Sequence, residues 1–373
     1  MADSITLFLC GDVMLGRGID QILPHPSPPV LHEPYARDAR RYLELAENLN
    51  GEIPRPAAFA YVWGDALSEL ARRRPDARVI NLETSVTRSD QPWPKGINYR
   101  LHPRNAPCLT AADIDCCVLA NNHVLDWERD GLAETLGTLR GLGIQTTGAG
   151  TNLMEAQGPA ILQRSGGGRV LVFAGATEDS GVPQAWGASA SRSGVHHLAD
   201  LSAKTVSQIA AQVRRHKRES DCVVFSLHWG GNWGYAVSAQ QRAFAHALIA
   251  EAGVDVVHGH SSHHVKAVEV FRDRLILYGC GDFLNDYEGI EGHEEFRDEL
   301  GLMYFPTMAR TTGRLLDLHM VPTRIRKFRV ERADDAGRRW LFETARREYR
   351  RFGCDVEESA SGAFALRWQS ARE

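Results

Sequence analysis

Six apolar runs of this chain each end in residues that can hold a cation or move a proton. The ends are Gly11-Asp12, Asn81-Leu82-Glu83, Asn121-Asn122-His123, Leu227-His228-Trp229, Gly259-His260-Ser261-Ser262-His263 and Gly281-Asp282. A divalent ion takes several N and O ligands at about 2.0–2.6 Å, and this set supplies both kinds. Imidazoles beside carboxylates also suit general acid–base work. Each cluster has a plainer reading of its own. Asp12 could cap a turn, Asn122 could shape one, Asp126 could start a helix, and His258 and His264 could be packing residues. Six such clusters, each closing an apolar run, argue for one shared site.

The elements that must position them alternate along the chain. Apolar, β-leaning runs predict strands at 5–10, 78–82, 116–120, 170–174, 223–227, 254–257 and 275–278. Helical spacing predicts helices at 35–50, 64–74, 131–142, 202–218, 239–252 and 335–351. Gly166-Gly167-Gly168 predicts a hairpin turn ahead of residue 170. In an open sheet wound with helices, ligands gather beyond the carboxyl ends of the strands. An α/β fold would therefore bring the six clusters into one crevice. Residues 1–300 carry the motifs. Residues 301–373 change to β segments near 314–332 and a charged helix, and are expected to pack on the same domain. Loops 21–34 and 88–107 are expected to lie over the site.

Aromatic side chains crowd the same loops. Trp93, Trp229, Trp233 and Tyr235 could wall an apolar pocket or stack on a ring. Arg17, Lys95 and Arg100 could pair with a substrate carboxylate or phosphate. Lys+Arg number 43 and Asp+Glu 47, with no long run of either sign. That balance gives no reason to expect nucleic acid or an anionic membrane as partner. No run approaches the roughly 20 apolar residues of a membrane span, and the N-terminus lacks a basic leader pattern, so a cytoplasmic protein is expected. Seven cysteines without CxxC spacing predict free, buried thiols in a reducing compartment. The oligomeric state is not legible.

The stretches GDVMLGR (11–17), NLETSVT (81–87), ANNHVLDW (120–127), LHWGGNWGY (227–235), HGHSSHHV (258–265) and LYGCGDFLNDY (277–287) resemble the CapA family. That family is named for poly-γ-glutamate capsule synthesis and lies within the calcineurin-like metallophosphoesterase superfamily. The resemblance covers roughly residues 5–290. It implies an α/β/β/α sandwich, two mixed sheets flanked by helices, with a metal centre at one edge. It also implies Asp12, Glu83, Asn122, His228, His260 and His263 as the ligand set, with His123 as an acid/base histidine. Two positions depart from the phosphoesterase pattern. Met14 stands where a histidine follows the first aspartate, and Glu83 stands for the bridging aspartate. Both weigh against a fully occupied two-metal site. The oxygen-rich remainder suits Ca²⁺, Mg²⁺ or Mn²⁺ as well as Zn²⁺.

Within that family the chain is most similar to the soluble lasso-peptide epimerases. The resemblance then implies inversion at the Cα of the last residue of a ribosomal peptide with a free C-terminus. Inversion needs one acid/base group on each face of the carbon and a fixed charge to hold the enolate. On this reading His123, His228 and His260 act with Asp126 and Asp282 as the catalytic groups. Asp12, Glu83, Asn122 and His263 then hold the divalent ion. The alternatives are metallophosphoesterase-type hydrolysis, a part in poly-γ-glutamate synthesis or binding, and a catalytically silent binding module.

Overall fold

The computed structural model describes residues 4–164 and 168–369. From Leu7 onward the strand Ser4–Val13 is buried on both faces, as its unbroken apolar run requires. It lies at the centre of a ten-stranded mixed sheet. On one side Ala77–Leu82, Cys116–Val118 and Gln145–Thr147 follow in order, all parallel. On the other side Leu300–Ala309, Leu315–Ile325, Phe364–Trp368 and Cys354–Glu358 follow, all antiparallel. A seven-stranded sheet faces it. There Arg169–Thr177, Cys222–His228, Val256–His260 and Arg274–Leu277 run parallel, with Val268–Phe271 antiparallel at the edge.

Strand alternation divides the apolar residues of this second sheet. Val172, Val224, Val256 and Leu275 join the core between the sheets. Phe173, Phe225, Val257 and Ile276 point the other way, into a second core under helices Ala203–His216 and Ala239–Ala250. Helices Glu128–Gly141 and Asp335–Arg350 pack on strands of the first sheet. The fold is therefore the expected class, two mixed sheets flanked by helices.

All the parallel strands point their carboxyl ends the same way within each sheet, which gathers the six clusters. The tightest crossing is at Gly11. A Cβ there would stand 1.7 Å from the carbonyl oxygen of Gly281, so only glycine fits. That approach lets Asp282–Leu284 pair with the end of the first strand and sets Asp282 opposite Asp12.

Three features differ from the sequence reading. The helix expected over 35–50 forms only at Arg40–Asn50, because residues 29–39 fold back on themselves: Val30 bridges Asp38, and Ala39 N–H donates to Pro29 O at 2.7 Å. The strand Leu300–Ala309 and the hairpin Cys354–Glu358/Phe364–Trp368 were not expected. Ala160–Gln163 and Arg169–Thr177 form the expected hairpin, but Gly166 and Gly167 of its turn lie outside the described residues. The seven cysteines are buried and unpaired. No helix among the described residues is long and apolar enough to cross a membrane.

Candidate metal centre and acid–base site

The site starts from a ladder of amides. Asn121 Nδ2 donates to Asn81 Oδ1 at 3.0 Å and to Leu82 O at 2.9 Å. Asn81 Nδ2 in turn donates to Asp12 Oδ1 at 2.7 Å and to Glu83 Oε2 at 3.3 Å. The second oxygen of Asp12 accepts the Ser261 N–H at 3.1 Å. Three strand ends thus hold two buried carboxylates side by side. Burial, then the charge of Asp282, pushes the Asp12 carboxyl up to about 7. Burial, then the charge of Asp12, raises Glu83 well above the usual carboxylate range.

The neighbouring sheet delivers two histidines. His228 and His260 are register partners on adjacent parallel strands, as are Ser226 and His258 two residues earlier. The period of two puts all four side chains on one face. Their proton positions follow from the hydrogen bonds. Burial lowers His258 to about 4, so it is neutral, and its Nε2–H donates to Cys10 O at 2.7 Å. Its bare Nδ1 accepts the Ser226 hydroxyl at 3.1 Å. Ser226 has no second proton, so its oxygen accepts from His260 Nε2–H at 2.7 Å. His260 is also held neutral, by burial first and then by its histidine neighbours. Its Nδ1 is therefore a bare lone pair. It faces His228 Nδ1 at 2.8 Å and Asp12 Oδ1 at 3.8 Å.

Donor atoms of Asp12, His228 and His260 all lie within 4.8 Å of one another, and all three residues are buried. Two imidazole nitrogens this close need a proton or a cation between them. Among the described residues, His228 Nε2 and Asn122 Oδ1 are buried without a hydrogen-bond partner. The donor set fits a divalent cation, with two imidazoles and at least one carboxylate. His228 and His260, which the resemblance gave as ligands and the epimerase reading as acid–base groups, lie with Asp12 where a cation could be held. Ser226→Ala would strand two buried ring nitrogens. It is expected to cost about 1–3 kcal/mol in denaturant unfolding and to weaken cation binding about 10–100-fold by calorimetry. Ser226→Thr, which keeps the hydroxyl, should restore most of both.

The candidate acid–base group, His123, lies on the far side of Glu83. His123 Nδ1–H donates to Asp126 Oδ2 at 2.7 Å, and its Nε2 stands 3.7 Å from Glu83 Oε1. Asp126 is fixed by the Tyr99 N–H at 2.6 Å and by Lys95 Nζ at 2.7 Å. The Tyr99 ring abuts the imidazole, centroids 4.3 Å apart. Burial lowers His123 to about 4; Asp126 opposes that and the Lys95 charge adds to it. His123 is thus a neutral imidazole with one free nitrogen.

Several expected site residues are placed differently. His263 gives Nδ1 to Asp282 at 2.9 Å and has Asn232 Nδ2 at 3.1 Å from Nε2, so both ring nitrogens are taken. Asp282 in turn holds His263 and accepts from Asn285 at 2.7 Å, which makes it a positioning group. Arg17 is buried, paired with Glu33 at 3.0 Å and with Asp286, and stacked 3.8 Å over Tyr42. Arg100 donates to Ser89 O at 2.7 Å and Pro28 O at 3.1 Å, tying the two loops together. Neither guanidinium is free for a substrate. Trp229 falls on the opposite strand face from His228 and stacks on Tyr278 in the outer core. Trp93 packs edge-on against Trp186, and Tyr235 sits among His264, Phe296 and Arg347. Trp233 does line a cleft of about 660 Å³ that opens beside His263, Tyr99 and Tyr287. Ser226 and His258 were not read as site residues. Their i,i+2 spacing to His228 and His260 was the available signal.

A family model described as bacterial capsule synthesis protein PGA_cap matches residues 6–287. A Mycobacterium tuberculosis protein named as a probable polyglutamine synthesis accessory protein is 47% identical over 356 residues, 95% of this chain and 93% of that one. The Bacillus subtilis PGA biosynthesis protein CapA is 27% identical over 285 residues, 75% of this chain and 69% of its own. A crystal structure described as a novel phosphatase, from Mycoplasma pneumoniae, covers 90% of this chain and 97% of its own at 12% identity and a TM-score of 0.49. The capsule-synthesis match spans the amide ladder, the histidine pair and the His123–Asp126 group alike, and the chain belongs to the bacterial capsule synthesis protein PGA_cap family.

Proposed function

We propose that the chain is a metal-dependent enzyme of glutamyl-polymer synthesis that cleaves an amide bond of the polymer by hydrolysis. The observation that carries this is the meeting of two groups across Glu83: the Asp12–His228–His260 donors on one side and the oriented, neutral His123 on the other. A divalent ion held by the first group would polarise the amide carbonyl. His123 Nε2 takes a proton from the attacking water as the oxygen bonds to the carbonyl carbon. The C–N bond then breaks, and the same nitrogen returns the proton to the leaving amine. Asp126 holds the ring and steadies its charge in between. The polymer is supported by the names of the relatives, polyglutamine synthesis and PGA biosynthesis. Those names favour polymer synthesis over the epimerase reading.

Chelator-stripped protein reloaded with Mn²⁺, Zn²⁺, Mg²⁺ or Ca²⁺ should shorten glutamyl oligomers in H₂¹⁸O, with one ¹⁸O entering each new carboxylate. Cleavage of a model phosphodiester with the oligomers left intact would replace this reading with phosphoester hydrolysis. Deuterium uptake at a Cα in D₂O without chain shortening would replace it with epimerisation.

A further inference from the structure

We infer that the cleft beside the site selects a neutral, amide-bearing glutamyl chain, of the polyglutamine type, over the polyanionic polyglutamate. This rests on the functional reading above and deepens it. The cleft of about 660 Å³ reaches from His263 and Tyr99 to the end of the strand Leu315–Ile325, and six carboxylates but four guanidiniums line it. Three of the four cations are already ion-paired. Arg17 is paired with Glu33 and Asp286 beneath the cleft. Arg297 holds Glu299 at 2.6 Å, and Arg324 holds Asp334 and Glu331. Arg326 donates to Asn50 Oδ1 at 3.3 Å. Of the carboxylates, Glu291 and Glu294 have no ion-pair partner among the described residues.

An entering chain therefore meets excess negative charge. A polymer with a carboxylate on every residue would be repelled along the length of the cleft, and no free row of cations compensates. A chain with side-chain amides escapes that repulsion. It still meets the Trp233 side chain, which lines the cleft with one ring face against His293. Long-range repulsion acts through solvent, so salt should weaken it.

The test compares α-linked hexaglutamine with α-linked hexaglutamate, which differ only in side-chain charge. Each is titrated by calorimetry into the full chain loaded with one divalent ion and freed of excess metal. Hexaglutamine should bind at least about tenfold tighter, with little response to NaCl. Hexaglutamate binding should improve as NaCl rises from 50 to 300 mM. The double variant Glu291→Gln, Glu294→Gln should tighten hexaglutamate about threefold or more and leave hexaglutamine unchanged. Tighter binding of hexaglutamate, weakening with salt, overturns this inference alone. Binding of neither oligomer overturns it together with the glutamyl reading of the site.

Discussion

Asp12→Asn is expected to stabilise the chelator-stripped protein at pH 7, to destabilise it at pH 4, and to remove any gain from a divalent cation. Burial and the charge of Asp282 raise the folded Asp12 carboxyl from 3.8 to about 7. A carboxyl raised in the folded state favours folding only while it is protonated. Its contribution is complete below pH 3.8 and is lost as pH rises to about 7. At 1.36 kcal/mol per unit, the loss approaches about 4 kcal/mol. Asparagine carries no such charge. It does mismatch one of the two donors on Asp12, Asn81 Nδ2 or Ser261 N–H, at about 1–3 kcal/mol. The difference leaves the variant ahead by about 1–3 kcal/mol at pH 7 and behind by a similar amount at pH 4.

The neutral buried histidines His228, His258 and His260 have the opposite sign. Their lowered values make folding lose stability as pH falls below 6.5. They act in both proteins and cancel in the difference. A saturating cation, at about a hundred times its dissociation constant, should add about 2.7 kcal/mol to the wild type and nothing to the variant. Urea unfolding at both pH values, with and without Mn²⁺ or Zn²⁺, decides the matter. A variant less stable at both pH values, or one still stabilised by the ion, would refute the account of Asp12.

Much of this site was legible because strand ends are local. An apolar run that stops at Asp12, His123 or His228 announces both its strand and its polar terminus within a few residues. Partners across the fold leave no such trace. Arg100 read as a free cation because Ser89 O is set against it only by the folded loop, and Pro28 O comes from 72 residues away. Trp229 read as a pocket wall because its neighbour His228 faces the site, whereas alternation turns the indole to the outer core. Ser226 and His258 were hidden by their apolar strands, where a small hydroxyl or a single histidine looks like packing. Leu300–Ala309 escaped for a different reason. Its run is buried on both faces over Leu300–Pro306, and such a pattern carries no period of two.

His123→Asn should lower turnover about 10²–10⁴-fold on whichever bond the enzyme cleaves, while leaving the bound metal in place. The separation of the two effects follows from position. His123 reaches the carboxylate pair only through Glu83 Oε1 at 3.7 Å and is not among the donors grouped with Asp12. Its free nitrogen is set by what holds the other one: Asp126 Oδ2 at 2.7 Å, itself clamped by the Tyr99 N–H and by Lys95. A ring held near 4 is in its base form throughout the neutral range, so kcat/KM should rise through an acid limb near that value. Lys95→Met removes a charge that helps hold the ring low. The limb should then move upward, toward 6.5, with the metal content unchanged. A purely structural lysine would change the amplitude of the profile and leave its midpoint where it was. Full turnover by His123→Asn, measured beside a metal analysis of the same sample, would assign the proton transfer to another group, with Glu83, 3.7 Å from the free ring nitrogen, the first to test.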